Sequence, residues 1–510
     1  MKKSLLYFLF FQTINAQMVF SQTAGNALFN SPIVHDINIT FTQAHWWDSL
    51  MYYKLYADSF NLSTQSIMGN VIIDGTLVDS VGVKLKGNSS FGYPGRKKPI
   101  KIEFNEYVSG KKYDDLKTIN LNNNTLDPTH MREKLVLDFL NSKGLSAPRC
   151  TYTKVSYNGQ YVGLYKVVEQ VDKTFLNTHY ANNNGNLFKG DPSGSLGWMG
   201  KSQSAYSNFY ELHNNNTVND WSDLINLIDN INNTPAAYFK DTLESNLNTA
   251  PFIKQWAIEN LFVDLDNYFN APHNYYIYHN TLSNKFEWIT WDVSVAFGFY
   301  PFKTEAQTES TSIFLSNQPL TNHMLSNPIY RTDYLNAICL YLDDFSNAVL
   351  DPKIDSIANL IYPFIAMEPD SNQMFPEQIF YNCINTFTIH TPIGDIPALK
   401  KFITNRRNNV LNQLTTFPFS CTNAINEVAT PIDFSIDPNP ASATLNLQLI
   451  ESHKTHLNII NAYGQEILIK QIHYGKNTLD VSELCNGIYF FVVRSGNKKE
   501  IRKVLIMHSQ

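Results

Sequence analysis

Short runs of alternating apolar and polar residues fill the first third of the chain, a pattern typical of half-buried β-strands. Such runs lie at residues 34–41 (VHDINITF), 69–74, 81–86 and 98–104 (KPIKIEF). Two more runs, 151–157 and 160–168, flank Asn158-Gly159, a dipeptide that favours a tight hairpin turn. This part of the chain is therefore predicted to form a largely antiparallel sheet.

Apolar residues recur at helical spacing in the middle of the chain. Helices are predicted at residues 43–56, 220–231, 252–262, 328–341, 353–362 and 396–414. Another is predicted from Asp127-Pro128, an N-cap followed by proline in the first turn, to the stop at Gly144. Helices around a mixed antiparallel sheet define an α+β domain, which we assign to residues 31–415.

The pattern changes after Thr415. Residues 416–431 are predicted to be a linker. Alternating runs then follow at residues 444–449, 455–461, 465–472, 487–495 and 502–508. Five short strands over about eighty residues, 432–510, predict a separate small β-sandwich.

An aromatic hairpin is predicted between residues 274–279 and 285–291, with a turn at 280–284. Folding it about Leu282 places position 272 opposite 292, so Asn274 and Asp292 lie at the same open end. Asp266 enters from the loop just before the hairpin.

Three oxygen-bearing side chains at one place suit Mg²⁺, which leaves its other positions to water or phosphate. Phosphoryl-transfer enzymes place one Asp near the attacking hydroxyl, and an Asn and a second Asp on metal ions. Asp266, Asn274 and Asp292 are therefore a candidate metal site. The alternative is that Asp266 and Asn274 are turn and cap residues and that Asp292 merely ends a strand.

Residues 87–95 (GNSSFGYPG) form a loop of glycines and hydroxyl residues between two predicted strands. Glycines let backbone N–H groups approach phosphates closely, and the lysines that follow can neutralise them. The alternative is a surface hairpin with solvated lysines. Lys189, in NLFKGD, is a further candidate phosphate contact. Glu169, in an apolar strand end, is either a surface residue or the partner of a buried lysine.

The N-terminus has the features of a secretory signal peptide, assigned to residues 1–21. Two lysines precede the short apolar run LLYFLFF, and small or polar residues follow. That run is too short to span a bilayer, and no later segment has the roughly 18 uncharged apolar residues that a membrane helix needs. We expect an exported protein without a transmembrane segment.

The composition narrows the classes of partner. The net charge is −6 with 16% charged residues, and no basic run supports binding to nucleic acid. The five cysteines are scattered and form no C-x-x-C pair, which argues against a zinc finger or a dense disulfide framework. One or two bridges remain open, for example Cys339 with Cys383.

Several stretches together resemble the CotH kinase family, the spore-coat protein H-like proteins. They are VGVKLKGNSS with KKPIKIEF, MREKL with APR, YNGQYVGLYKVVEQVDKTFL, NLFKGD and HNYYIY with FEWITWDVSVAFG. The resemblance covers roughly residues 33–414. It implies a divergent, secreted protein-kinase-like fold that phosphorylates surface or coat proteins with ATP.

Carried over by motif, the resemblance implies roles for individual residues. Asp292 is the metal-binding aspartate, Asp266 the aspartate before HNYY, and Asn274 a ligand of a second metal. The nucleotide-phosphate lysine is Lys98 or Lys101, with Glu169 as its ion-pair partner. The family often has Asp or Asn two residues after Asp292, whereas this chain has Ser294, a poorer metal ligand.

Residues 432–510 resemble a second family, the type A sorting domain of the type IX secretion system of Bacteroidetes. The matching stretches are IDPNPA, LNIINAYGQEI, GKNTLDVSEL, NGIYFFVV and KVLI. The resemblance implies recognition by that machinery, export across the outer membrane, and release or attachment at the cell surface.

Together these expectations describe an exported atypical kinase that transfers phosphate from ATP, with Mg²⁺ or Mn²⁺, to hydroxyls of surface or secreted proteins. Transfer of AMP by the same site is an open variant. The alternative function is a non-catalytic adhesion or glycan-associated protein on a kinase-like fold.

Overall fold

A computed structural model describes residues 23–92, 95–417, 419, 421, 434–449, 455–461, 466–484, 486–495 and 498–508. The predicted signal peptide and most of the predicted linker lie outside these residues. The chain divides into two compact units, one ending at Phe419 and the other formed by the rest.

A closed seven-stranded barrel forms the first part of the larger unit. Its strands are β1 (Val34–Thr40), β2 (Ile67–Ile73), β3 (Thr76–Leu85), β4 (Ile100–Glu103), β5 (Thr118–Asn122), β6 (Cys150–Tyr157) and β7 (Gln160–Glu169). Neighbouring strands run antiparallel except β1 and β6, whose parallel pairing closes the barrel. The expected antiparallel sheet is present, and its closure is an addition to what the sequence predicted.

Alternation along the barrel strands decides which side chains point inward. Val81, Val83 and Leu85 of β3 and Ile100 and Ile102 of β4 are completely buried in one apolar core. The side chains that alternate with these core residues face outward, and they include lysines. One outer face of the barrel is therefore rich in cations.

Helices surround the barrel and form most of the remainder of this unit. They are α1 (Asn26–Phe29), α2 (Trp46–Phe60), α3 (Arg132–Ser142), α4 (Lys173–Tyr180), α5 (Ser222–Asn233), α6 (Phe239–Asn246), α7 (Thr249–Leu261), α8 (Glu305–Glu309), α9 (Pro319–Ser326), α10 (Pro328–Leu342), α11 (Asn347–Ala366), α12 (Phe380–Asn385) and α13 (Leu399–Thr415).

The start of α3 differs from the prediction. The helix begins at Arg132 rather than at Asp127-Pro128. The Asp127 carboxylate accepts hydrogen bonds from the backbone N–H groups of Thr129 and Arg132, so it caps a turn that leads into the helix. An Asp-Pro dipeptide is compatible with either arrangement.

A four-stranded sheet carries the aromatic hairpin. Its strands are β8 (Leu187–Gly190), β9 (Tyr210–Leu212), β10 (Tyr275–Asn280) and β11 (Lys285–Thr290), in the order β11-β10-β8-β9. The predicted hairpin is confirmed, with a register one residue from the expected one, because Tyr275 pairs with Thr290. Asn274 and Asp292 still flank the same open end. A small hairpin, β12 (Ile389–Thr391) and β13 (Gly394–Ile396), precedes α13.

Two fully buried arginines hold this unit together. Arg132 of α3 donates hydrogen bonds to the carbonyls of Ala296, Phe297 and Pro397. Arg406 of α13 donates to the Asn260 side chain and to carbonyls of residues 309 and 311. Buried guanidinium groups need such partners, so Arg132 fixes the loop after β11 relative to α3, and Arg406 fixes the end of α8 relative to α7 and α13.

The second unit consists of two antiparallel sheets that share one apolar core. One contains β14 (Phe434–Asp437), β15 (Thr444–Leu449) and β18 (Gly475–Asp480), and the other β16 (Thr455–Asn461), β17 (Glu466–Ile472), β19 (Gly487–Ser495) and β20 (Lys498–Ile506). The strand-rich C-terminal region is thus as predicted. The sequence reading missed β14 and β18, which are short and polar.

Two further predictions concerned membrane helices and disulfide bonds. Within the described residues, no helix is both long and apolar enough to cross a membrane. Cys339 is disulfide-bonded, whereas Cys383 is a buried free thiol, so the bridge suggested between these two cysteines is wrong.

Candidate functional site

An open pocket lies between the cationic outer face of the barrel and the loop that follows β11. It is lined by Lys86, Gly87, Ser90, Pro99, Asn122, Asn123, Asn124, Thr125, Glu133, Lys166, Trp291, Asp292 and Ser294. Lysines, carboxylates and amides therefore converge on one solvent-open space.

A buried ion pair forms one wall of the pocket. The Lys166 amine, on β7, lies 3.1 Å from a carboxylate oxygen of Glu133, on the first turn of α3, and both side chains are almost completely buried. Asn122 donates from its side-chain amide to both oxygens of Glu133. Burial disfavours the charged amine, but the carboxylates of Glu133 and Asp127 outweigh it, so the pKa of Lys166 is raised.

Lys86, directly after β3, is a second cation in the pocket. Its amine lies 3.3 Å from the side-chain oxygen of Asn120. Loss of solvation lowers its pKa to about 8, although Asp292 and Glu133 attract the charged form. Lys86 is therefore held near the pocket's carboxylates without forming an ion pair to any described residue.

Asp292 approaches from the opposite wall, one residue after Trp291. Its backbone has φ 47°, a left-handed conformation that is uncommon outside glycine, asparagine and aspartate. Within the described residues, no hydrogen bond or salt bridge occupies its carboxylate. An anionic group is thus presented to the pocket with its oxygens available to a ligand.

Asp266 and Asn274 contact each other beside this wall. The Asn274 side-chain amide donates to the Asp266 carbonyl at 2.7 Å and to its carboxylate at 3.1 Å. His273 Nε2 lies 2.9 Å from the other carboxylate oxygen of Asp266, and this contact raises the pKa of His273. Both Asp266 oxygens are therefore already oriented by neighbouring side chains.

Two further carboxyl groups are buried behind Asp266. Burial, together with the charge of Glu259, raises the pKa of Asp264 far above its usual range. Burial likewise raises the pKa of Glu259 to about 7, although Thr290 donates a hydrogen bond to it. Asp264 therefore stays protonated near neutral pH, and Glu259 titrates close to neutral pH, so together they add less negative charge than two ionised carboxylates would.

The predicted metal-site residues therefore fall at two adjoining places. Asp292 lines the pocket, and Asp266 with Asn274 forms a hydrogen-bonded pair next to it. Among the residues that the structure describes, no group of three or more His, Cys, Asp or Glu side chains is arranged to hold a metal ion. Mg²⁺ does not need such a group, because it is commonly held by one or two carboxylates plus phosphates and waters.

The predicted ion pair between Glu169 and Lys98 or Lys101 does not form. Glu169 binds Arg149 through both carboxylate oxygens. Lys101 points outward from β4 and lies 3.6 Å from Glu103, whereas Glu169 has the inward parity of β7. Lys98 shares the inward parity but lies at the other end of the barrel, where the Tyr165 hydroxyl bonds its carbonyl.

The remaining candidate lysines also have protein partners. Lys98 donates to the Phe91 carbonyl at 2.9 Å, and its amine lies over the Phe91 ring. Lys189 is paired with Asp191, and the pKa of its amine is raised because Tyr276 and Asp191 together outweigh the effect of burial. None of these three lysines, Lys98, Lys101 or Lys189, lines the pocket.

Lys86, Glu133 and Lys166 line the pocket but were not predicted from the sequence as candidate site residues. Each lies inside a motif that had been recognised, VGVKLKG, MREKL and GLYKVVE. Lys166 alternates with buried Tyr165 and Val167, so its outward parity was available from the pattern. What could not be seen was that α3 brings Glu133 to the same face.

The larger unit thus combines helices and strands, with a charged pocket beside a barrel. A strand-rich unit follows it along the chain. The family described as CotH kinase protein matches residues 83–410, and the chain belongs to it. The family described as a secretion system C-terminal sorting domain matches residues 435–507. The sorting domain marks the protein for the type IX secretion machinery and so for secretion or the cell surface.

Three relatives support this assignment. The inner spore coat protein H of Bacillus subtilis (strain 168) is 26% identical over 278 residues, which cover 54% of this chain and 75% of the relative. Two proteins of Rhizopus delemar, spore coat protein homolog 1 and invasin CotH2, are 22% and 23% identical over 50% and 49% of this chain. The alignments cover 43% and 45% of these two proteins, less than half of their length.

Proposed function

We propose that the larger unit is an atypical kinase that transfers phosphate from ATP, with Mg²⁺ or Mn²⁺, to hydroxyls of surface or secreted proteins. The observation that carries the proposal is the available carboxylate of Asp292 in the same pocket as the Lys166–Glu133 ion pair. A metal-binding carboxylate and a lysine held by a glutamate are recurring parts of phosphoryl-transfer sites.

The donor set fits the proposed cation. Asp292 offers a carboxylate without a partner among the described residues, and Asp266 has oxygens already oriented by His273 and Asn274. A bound Mg²⁺ would neutralise charge on the phosphates. Ser294 lines the same pocket but brings only a hydroxyl, so we expect metal affinity to depend chiefly on the carboxylates.

Each protein group then has a defined task. Asp292 would hold the metal, and Lys166 would keep positive charge on the barrel wall through its pair with Glu133. Asp266 would accept a hydrogen bond from the acceptor hydroxyl, since a carboxylate has about four acceptor sites and only some are used here. Such positioning and charge neutralisation make up most of what phosphoryl transfer requires.

The proposal includes a divergent kinase-like fold for residues 31–415. A strand lysine paired with a helix glutamate supports it, as does a pocket between a strand-rich part and a helical part. The closed barrel is a departure from the protein-kinase-like fold, and a divergent form of that fold would have to include it.

Intact-mass spectrometry of the full secreted chain tests the activity. Incubation with ATP and Mg²⁺ or Mn²⁺, with and without an acceptor protein from the same surface, should add about 80 Da per site, whereas AMP transfer would add about 329 Da. The Asp292→Asn variant should gain no mass. A wild-type chain that neither gains nor transfers mass, and whose melting temperature nucleotide does not raise, would contradict the proposal.

A second candidate is a non-catalytic role in surface attachment. One Rhizopus relative is named an invasin. In this chain, Tyr52, Tyr56 and Phe60 form an exposed row of rings along α2, in which Tyr52 stacks on Tyr56 and Phe60 is tilted against Tyr56. Exposed rings of this kind can stack on sugars or apolar surfaces. Binding to cells that survives Asp292→Asn but not a triple Tyr52, Tyr56 and Phe60 to Ser variant would favour this role.

A further inference from the structure

The lysines around the pocket differ in whether a carboxylate neutralises them. Lys166 is paired with Glu133, and Lys189 with Asp191. On the outer face of the barrel, Lys84 and Lys101 both approach Glu103, at 2.8 and 3.6 Å. Within the described part of the chain, Lys86 has no such salt bridge.

Lys86 extends the outward row of β3 by one step beyond Lys84, towards the pocket. Its backbone N–H donates to the Pro99 carbonyl, which fixes the start of the loop at Gly87. Its amine meets the neutral Asn120 amide, which is itself held by Gln170 at 3.0 Å. The Lys86 side chain is thus positioned by neutral groups, and no described carboxylate forms a salt bridge with its amine.

The Lys86 side chain is partly buried and has no counter-ion among the described residues, and this loss of solvation lowers the pKa of its ammonium group to about 8. Asp292 and Glu133 act on Lys86 only through space, while Lys101 and Lys189 repel it. An anion entering the pocket would supply a counter-ion, whereas Lys166 already has one in Glu133. Of the two lysines that line the pocket among the described residues, Lys86 is therefore the one without a counter-ion.

We propose that Lys86 is the pocket's anion-binding residue and contacts the phosphates of the bound nucleotide, whereas Lys166 is a positioning residue that holds Glu133 and α3. The inference rests on the proposed kinase function and specifies it. It also assigns a ligand to the loop at residues 87–90, because Gly87 and Ser90 line the pocket beside Lys86.

An acyl-phosphate derivative of ATP provides the test, since such probes acylate lysine amines that lie against the phosphates. The full chain is labelled with Mg²⁺ present, digested, and analysed by peptide mass spectrometry, with and without excess ATP. We expect ATP-protected label on Lys86, and little on Lys84 or Lys166, whose amines are engaged by carboxylates.

ATP-protected label on Lys166 with none on Lys86 would overturn the inference and leave the proposed function intact. If no lysine carries protected label, and ATP also fails to raise the melting temperature of the wild type, the proposed function fails, and the inference with it. The two failures are therefore distinguishable in one experiment.

Matched variants give a second readout. Lys86→Met should weaken nucleotide binding about tenfold to a hundredfold, the equivalent of one charge-assisted hydrogen bond, and Lys86→Arg should recover part of the loss. Lys84→Met, on the same strand and face, should bind as the wild type does. Equal affinities for the Lys86→Met and Lys84→Met variants, measured by calorimetry, would contradict the assignment.

Discussion

Asp292 combines an available carboxylate with a left-handed backbone, and this combination decides which substitution is informative. Asparagine adopts φ > 0 more readily than alanine does, so Asp292→Asn keeps the backbone and removes only the charge. We expect phosphate transfer to fall about a hundredfold or more, since even outer-shell partners of metals matter by about 10- to 100-fold. The free energy of unfolding should change by no more than about 0.5 kcal/mol.

Rates of transfer and urea unfolding curves check this prediction, with Asp36→Asn on the far side of the barrel sheet as control. Asp36 forms a half-exposed salt bridge with Lys154 at 2.9 Å, so its loss should affect neither quantity strongly. An Asp292→Asn chain that transfers phosphate as fast as the wild type would remove Asp292 from the mechanism.

At the level of single residues, the sequence was most informative where strand parity could be read. The alternation of the aromatic hairpin placed Asp292 and Asn274 at one open end, and the structure keeps them there. The predicted ion pair of Glu169 with Lys98 or Lys101 does not form, because Glu169 binds Arg149 and lies on the opposite face of the barrel wall from Lys101. The alternation along each strand shows which face a residue occupies, but it does not show where α3 packs against the barrel wall.

Between elements, the Lys166–Glu133 pair joins β7 to α3. Removing one partner leaves a buried, unpaired charge, so Lys166→Met and Glu133→Gln should each lower the free energy of unfolding by about 3–5 kcal/mol. The double variant should lose less than the sum of the two, because neither charge is then stranded. Urea denaturation of the four proteins measures this coupling, and strictly additive losses would argue against a direct pair.

Glu259 of α7 should give the protein a specific pH dependence. Burial raises the pKa of Glu259 to about 7 in the folded protein, above the ordinary 4.5 of a glutamate side chain, so the folded state binds an extra proton between these pH values. Stability should therefore fall by about 1.4 kcal/mol per pH unit as the pH rises from 4.5 to 7, about 3 kcal/mol in total.

The Glu259→Gln variant cannot lose that proton. The difference in unfolding free energy between variant and wild type should therefore grow over this interval and stay constant above it. Denaturation series at several pH values provide the measurement, and comparing the two proteins removes most of the contribution of Asp264. A difference that does not vary with pH would show that Glu259 is ionised throughout.

Long, strongly patterned elements were predictable from local sequence, among them β15, β16, β19, α10 and the hairpin of β10 and β11. Errors fell at boundaries set by side-chain hydrogen bonds, as at the start of α3, where Asp127 caps a turn instead of the helix. They also fell on β14 and β18, which are too short and polar to stand out from turns.

At the scale of the whole molecule, the chain combines a pocket-bearing unit with a sorting domain, and the second should govern where the first acts. A chain that ends at Thr415 should remain inside a type IX-competent bacterium, because the machinery then has no domain to recognise. Immunoblots of the medium, cell-surface and periplasmic fractions test this, with Asp292→Asn as a control that should be exported normally. Export of the truncated chain would contradict the role of residues 435–507.

The two-part organisation was predictable, because composition and strand spacing both change after Thr415. Closure of the barrel was not, since it depends on which strands become neighbours in space. Nothing in the alternation of residues 34–41 specifies a parallel partner that lies far along the chain, and local patterns favour hairpin neighbours instead.

That parallel pair has a consequence for how the chain matures. Ile37 pairs with Val155, 118 positions later, so β1, which pairs with β2 along one edge, keeps its other edge open until β6 has been synthesised. Pairing over such a separation is slow, and open strand edges can join other chains in the meantime. The interval between the appearance of β1 and of β6 is therefore when this protein is most exposed to aggregation, and when a chaperone would protect it most.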